Sequence, residues 1–409
     1  MAKYYPSPAK AELEIVTTKF FESDTTDGSN NRSIVAISNL PDGEVELISA
    51  RRQSLHNLAR SVDGGETWTK ISFGNPEIEG TPYDAAYYIK TSNPDVDRSL
   101  LMVNSNAVFI HKNINTTGGT GFDVVLDNTN RPNSTFARTF GFSAYRNIIL
   151  LAEYGTKNAE DPPRFVYISY DYGETFDVLY EKQIGDMVQP NNYHIHDVAY
   201  DPYANRIWIA EGDGVNANIV YTDNLGLTFI SLPAQELGSA PRYIRQPTSI
   251  TPLPDKVVFG SDFQPTGFCV YDRDTRHLTF PFSEDDLKYN LINYTSQNML
   301  LGYASKAITT GTNIEEHVKQ YPYNVLFGFV ESTEGLNSST PGRIFATPNG
   351  EQFFEIMRPD ILEGLRYNRP SRIVGAVSND PNKYVYFDIG RGSTTYAARF
   401  KMPTWVEMK

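Results

Sequence analysis

Two histidines and an aspartate stand together in His194-Ile195-His196-Asp197, and two more carboxylates follow in Ala210-Glu211-Gly212-Asp213-Gly214. Residues two apart on a strand point to the same face, so His194 and His196 lie side by side. Arg206–Glu211 reads as the next strand and returns Asp213 to the end where His194 begins. Paired imidazoles with a carboxylate suit Zn or Mn. An imidazole also titrates near neutral pH and can move protons. The same groups can orient a ligand, or satisfy one another at a fold's edge. All four readings stay open on residue type and spacing, so no metal ligand and no cofactor is assigned.

The elements that would position these groups are β-strands. The 409 residues include 26 Tyr, 23 Phe and 29 Gly in short apolar runs, which favours sheet over helix bundles. The net charge of −13 excludes nucleic acid and an anionic membrane as expected partners. The single cysteine, Cys269, excludes an internal disulfide framework. No apolar run approaches the ~18 residues needed to span a bilayer, so no membrane insertion is expected. The start, Met1-Ala2-Lys3-Tyr4-Tyr5-Pro6, lacks the apolar centre of a signal peptide.

One eight-residue pattern organises the chain. Ser61-Val62-Asp63-Gly64-Gly65-Glu66-Thr67-Trp68 reads S-x-D-x-G-x-T-W, and Ser169-Tyr170-Asp171-Tyr172-Gly173-Glu174-Thr175-Phe176 repeats it. A third copy runs from Thr222 through Asn224, Gly226 and Thr228 to Phe229, with Asn in place of Asp. The Asp or Asn can accept turn N–H groups, the Gly supplies a positive φ, and the aromatic starts a strand that packs between layers. Measured on the aromatics, Trp68, Phe122, Phe176, Phe229, Phe280, Phe353 and Trp405 recur at a period near 53, with one insertion of about 20 residues.

Each period holds up to four strand-like runs separated by Gly, Asn, Asp and Pro. In the fourth unit these are His194–Tyr200, Arg206–Glu211, Asn218–Tyr221 and Phe229–Leu232; in the last they are Arg372–Val377, Tyr384–Ile389, Thr395–Phe400 and Trp405–Met408. The expected fold is all-β: a β-propeller of four-stranded antiparallel blades, seven in number, or six if the second or sixth unit is incomplete. Residues 31–409 form the single propeller domain, with an insertion near 309–340 that includes a helix-like stretch within Thr309–Tyr321. Residues 1–30 form an extension whose run Glu14–Phe20 closes the ring or reaches a partner.

The S-x-D-x-G-x-T-W copies resemble the Asp box of sialidase-like propellers. That resemblance implies a site on the face opposite the boxes, and an antiparallel meander points the same way. On that face fall Arg51 and Arg52 of unit one, Glu153 and Tyr154 of unit three, and His194, His196, Asp197, Glu211 and Asp213 of unit four. Arg245 and Asp262 of unit five and Arg391 of unit seven join them. Glu153, Asp213 and Asp262 are the candidate catalytic carboxylates, and the others are candidate ligand-binding groups. The sialidase resemblance implies an arginine triad, a Tyr nucleophile assisted by Glu, and an Asp acid. The family's early Arg-Ile-Pro or Arg-Leu-Pro motif is missing, since Arg206-Ile207, Arg343-Ile344 and Arg372-Ile373 are followed by Trp, Phe and Val.

Asp-box proteins are mostly secreted, and a member without a leader suits a bacteriophage virion. The functional expectation is a tail or baseplate propeller, virion-borne or extracellular, that binds host-surface glycan or neighbouring virion subunits. The alternatives are a glycoside hydrolase cleaving a surface polysaccharide and a protein-binding propeller.

Overall fold

The structure is a computed structural model. It describes residues 3–6, 13–15, 32–39, 45–51, 59–70, 85–89, 99–103, 106–112, 122–130, 135–136, 141–154, 164–183, 194–212, 216–232, 247–261, 267–279, 300–304, 326–332, 343–347, 350–357, 369–376, 384–391 and 394–401. Two short N-terminal strands, β1 (Lys3–Pro6) and β2 (Leu13–Ile15), precede the repeating part.

Sheet one is β3 (Arg32–Asn39), β4 (Val45–Arg51), β5 (Ala59–Ser61) and β6 (Thr69–Lys70). Sheet two is β7 (Ala85–Ile89), β8 (Ser99–Val103), β9 (Ala107–Lys112) and β10 (Asp123–Asp127). Sheet three is β11 (Phe142–Tyr145), β12 (Ile148–Ala152), β13 (Arg164–Ser169) and β14 (Asp177–Lys182). Sheet four is β15 (Ile195–Asp201), β16 (Arg206–Glu211), β17 (Asn218–Thr222) and β18 (Ile230–Ser231). Sheet five is β19 (Pro247–Pro252), β20 (Lys256–Ser261), β21 (Gly267–Asp272) and β22 (His277–Thr279). Sheet six is β23 (Leu300–Ala304), β24 (Leu326–Ser332), β25 (Arg343–Thr347) and β26 (Gln352–Met357), and sheet seven contains β27 (Arg369–Ala376), β28 (Tyr384–Arg391) and β29 (Thr394–Lys401).

Within each sheet these strands pair antiparallel in chain order, so every sheet is an up-and-down meander. The N-terminal strands complete the last two sheets. β1 adds a fifth, parallel strand outside β26, and β2 pairs antiparallel with β29 as the fourth strand of sheet seven. The periodicity had placed Trp405–Met408 in that outer position; those residues, like the stretch Thr309–Tyr321, lie outside the described ones.

The apolar core lies between neighbouring sheets. Sheets two and three share Leu101, Val108, Phe136, Phe142, Ile149 and Tyr167. Sheets three and four share Leu150, Val166, Ile168, Val198, Ile207 and Ile209. Sheets four and five meet around Trp208, which is fully buried against Tyr221, Phe259 and Tyr271 at centroid separations of 5.2, 5.9 and 5.5 Å. These strands read as nearly continuous apolar runs because both faces of each sheet are covered.

The three S-x-D-x-G-x-T-aromatic segments fold alike. Ser61 Oγ accepts from Gly65 N (2.8 Å) and donates to Asp63 Oδ1 (2.7 Å), while Asp63 accepts from Thr67 N (2.9 Å) and Thr67 Oγ1 (2.5 Å). Ser169, Asp171, Gly173 and Thr175 repeat those bonds. The residue before the last glycine is left-handed in each copy, at Gly64 (φ 71°), Tyr172 (63°) and Leu225 (52°). In the third copy Asn224 Nδ2 donates to Thr228 Oγ1 (2.8 Å), reversing the bond that Asp63 accepts from Thr67. An amide therefore serves the turn as well as a carboxylate. Asp63→Asn is expected to change stability by less than about 1 kcal/mol, whereas Asp63→Ala leaves the turn donors without their acceptor and costs about 1–2 kcal/mol. Denaturant midpoints of the two variants check this.

Sheet five departs from the pattern. Its outer turn is Asp272-Arg273-Asp274-Thr275-Arg276, with Arg276 left-handed at φ 54°, and β22 precedes Phe280 rather than following it. The aromatic that matched the period is thus not in the position that Trp68, Phe122, Phe176 and Phe229 take just before their strands. Asp272 accepts from Thr275 N (2.9 Å) and pairs with Lys256 Nζ (2.6 Å), which also reaches Glu351 beside sheet six (3.1 Å). Burial pushes the Asp272 carboxyl up, but the bonds from Lys256 and Thr275 outweigh it and hold its pKa at about 2, below the ordinary 3.8. A depressed pKa stabilises the fold above the unfolded value and loses that effect as pH falls through the folded one. Acid unfolding of Lys256→Met should therefore lack a component that the parent shows between about pH 4 and pH 2. Urea titrations across that range measure it.

Candidate functional site

Strand direction defines two ends. The box turns join the third and fourth strands at one end, and the opposite end carries the loops after each second strand and the approach to each first strand. At that opposite end, sheets three and four meet. Ile195 N donates to Glu153 O (3.3 Å), Tyr154 N donates to Thr135 O (2.7 Å), and Gly212 N donates to His194 O (2.7 Å). These backbone bonds bring Glu153, Tyr154, His194 and Glu211 into one cluster.

Its aromatic part is a stack. The Tyr154 ring lies parallel to His194 at 4.4 Å with 12° between planes, and His196 stands tilted at 5.0 Å from His194 and 6.0 Å from Tyr154. The strand register shifts between Ile195 and Asp197, so His196 sits on a bulge rather than in simple alternation. Its Nδ1 lies 2.7 Å from Pro247 O on sheet five. Both histidines are buried, whereas Tyr154 is 39% exposed.

The carboxylates behave differently from the solvent-facing groups expected at a mouth. Glu153 has 0% exposure. It accepts from Asn128 Nδ2 (2.8 Å), Tyr167 OH (2.8 Å) and Phe165 N (3.0 Å). Asp197 is equally buried and accepts from Val198 N and from Ile250 N of sheet five, both at 2.8 Å. Glu211 accepts from Tyr180 OH and lies 3.6 Å from Lys182 Nζ, both on sheet three. Each carboxylate tethers its own sheet to a neighbour. A buried carboxylate without such donors would be prohibitively costly, which is why each sits among N–H and O–H groups.

Of the other sequence-derived residues, Arg51 and Arg391 are the last residues of β4 and β28, at the same end of their sheets. Asp213, Asp262, Arg52 and Arg245 lie outside the described residues. Gly212, which has φ +65°, is closely approached: a Cβ on it would come within 2.3 Å of Asn216 O. Among the described residues, no three His, Cys, Asp or Glu side chains are grouped to hold a metal ion. No helix there is long and apolar enough to cross a membrane. Sequence reasoning missed Asn128, Tyr167, Tyr180 and Lys182, the partners of the buried carboxylates. Tyr167, Tyr180 and Lys182 come from other strands and Asn128 follows β10, and none belongs to a motif.

No family model matches the chain, and no curated protein does. Solved structures match it in shape. The GH74 xyloglucanase from Xanthomonas campestris superposes with a TM-score of 0.56 at 11% identity, over 95% of this chain and 53% of that one. This chain thus spans about half the xyloglucanase's length. YCF48, in a structure bound to D1 peptide, gives 0.54 at 10% identity over 97% of this chain and 99% of that one. U3-55K gives 0.54 at 9% identity over 97% and 100%. The fold is that of the β-propellers. Identities this low show the fold and leave chemistry to the site.

Proposed function

We propose that the seven sheets close into a seven-bladed propeller whose mouth at sheets three and four binds glycan without cleaving it. Closure is supported by β27 and β29, which lie against β3, and by Arg399 Nη1, which donates to Gly64 O (3.5 Å). The observation that carries the binding reading is the contrast at the mouth. Glu153, Asp197 and Glu211 are buried and bonded to neighbouring sheets, while Tyr154 is 39% exposed. A glycosidic acid or nucleophile has to reach the scissile bond, and a carboxylate committed to the fold does not. A virion or extracellular setting belongs to the same reading: a bacteriophage tail or baseplate, where the mouth meets host-surface polysaccharide or neighbouring subunits.

Hydrolysis of a surface polysaccharide is the second reading, favoured by the GH74 xyloglucanase among the chain's structural neighbours. It would rest on Asp213 and Asp262. Incubation of the purified chain with envelope polysaccharides and xyloglucan separates the two. Retention of glycan with no new reducing ends supports binding. Product formation that Asp213→Ala abolishes would overturn it.

A further inference from the structure

We infer that the outer edge of β26 is a docking surface for the N-terminal strand of a second copy of this chain, so that copies join by exchanging Lys3–Pro6. The inference stands on strand pairing and is independent of the glycan reading. Sheet six is already a meander of four strands, β23 to β26, before β1 joins it. β1 lies parallel to β26, with Lys3 opposite Gln352, Tyr4 opposite Phe353, Tyr5 opposite Phe354 and Pro6 opposite Glu355. Sheet seven differs, because there β2 is the fourth strand. The two N-terminal strands thus have separate roles: β2 completes a sheet and β1 covers one.

The edge that β1 covers is unlike the other outer strands. An open edge is a template for another chain, and proteins guard such edges with charge, with proline or by keeping them short. β6 and β18 have two residues each and β22 has three. β10 begins and ends on Asp, and β14 contains Asp177, Glu181 and Lys182. β26 has six residues, Gln-Phe-Phe-Glu-Ile-Met, with Glu355 as its one charge. Among these described outer strands it is the long one with little charge to guard it. β1 supplies the guard, with Lys3 at its start and Pro6 at its end. Proline has no N–H to offer a further strand.

The place of β26 is set by contacts other than β1. It pairs with β25 on its inner side, and Glu351, just before it, meets Lys256 of sheet five at 3.1 Å. A strand positioned in advance loses little freedom when another strand docks on it. Exchange keeps all four residue pairs and replaces a strand tethered through residues 7–12 by the same strand from a neighbour. Concentration therefore governs the choice between the two. Reciprocal exchange closes a pair of copies, and one-way exchange extends a row.

The test uses the full chain carrying Lys3→Cys and Gln352→Cys, which are partners in the register; the chain's own Cys269 is buried. The protein is equilibrated at about 10 µM and about 1 mM, then treated with a short bifunctional thiol reagent. A link within one chain runs as a monomer, and a link between copies runs as a dimer. The dimeric share is expected to rise about tenfold or more across that range, since a short tether competes at a millimolar effective concentration. Linked monomer alone at both concentrations overturns the exchange, and no link at either overturns the pairing on which it rests. A mixture of the two single variants is the second measurement. Exchange links one variant to the other about tenfold more than either to itself, and equal linking, which random collision gives, overturns it.

Discussion

Asp201→Ala is expected to destabilise the chain by about 3–5 kcal/mol, the cost of removing one partner from a buried ion pair. Asp201 ends β15 with 0% exposure. Its Oδ1 accepts from Tyr203 N (3.1 Å) and Ala204 N (3.3 Å), which closes the turn into β16. Its Oδ2 accepts from Trp208 Nε1 (2.9 Å) and meets Arg273 Nη1 of sheet five at 2.6 Å. Arg273 in turn donates to Leu253 O (3.0 Å) and Pro254 O (3.1 Å). One carboxylate thus fixes a turn, orients the central tryptophan and ties sheet four to sheet five. Its loss leaves the guanidinium and the indole N–H facing a cavity. The check is a fall in the urea midpoint with an unchanged slope, which reports stability rather than a change in compactness. Adding Arg273→Met to Asp201→Leu should recover part of the loss, because the orphaned charge goes with its partner. A cost below about 1 kcal/mol for Asp201→Ala would contradict the role given to this contact.

Glu153→Gln is the second large effect, at about 2–3 kcal/mol. The carboxylate receives three donors, from Asn128, Tyr167 and Phe165. An amide turns an NH2 group toward donors and leaves at least one of them unsatisfied in the interior. Tyr167→Phe, which removes one donor and keeps the carboxylate, should cost only about 1 kcal/mol. The pair of variants separates a structural carboxylate from a catalytic one. A catalytic acid replaced by its amide typically leaves a stable, inactive protein. Here the amide should lower the unfolding midpoint, with any effect on glycan binding arising through the displaced neighbour Tyr154.

Much of the fold is legible in the chain because its signals are local. Asp63, Gly65 and Thr67 specify a turn within eight residues, and Asn224 shows why a degenerate copy still folds. The runs at Arg206–Glu211 and Asn218–Tyr221 coincide with β16 and β17 to within a residue. Where spacing alone carried a reading, it slipped: Phe280 fits the period but follows its strand, since Arg276 rather than an aromatic closes that turn. The run Glu14–Phe20 left ring closure and a partner open as alternatives, and β2, which overlaps it, pairs with β29. β2 comes from the far end of the chain, and pairing over that separation has no local signature.

The site was legible in part for the same reason. Alternation and strand direction put Glu153, Tyr154, His194 and Glu211 at one end. They could not show that Tyr167 and Asn128 reach Glu153, or that Tyr180 reaches Glu211, because those bonds depend on how sheets pack. Glu153, Asp197 and Glu211, three of the charged residues placed there, each bond to a neighbouring sheet. Tyr154, which carried no motif, is the member of the cluster that reaches solvent.

The central claim is that this mouth holds a glycan and leaves it intact. The most direct measurement is to bind a retained envelope polysaccharide to the purified chain, release it after prolonged incubation, and compare its mass with the input. The account predicts saturable binding and recovery of the glycan at its original mass. Shortened glycan, formed in proportion to the chain added, would contradict it.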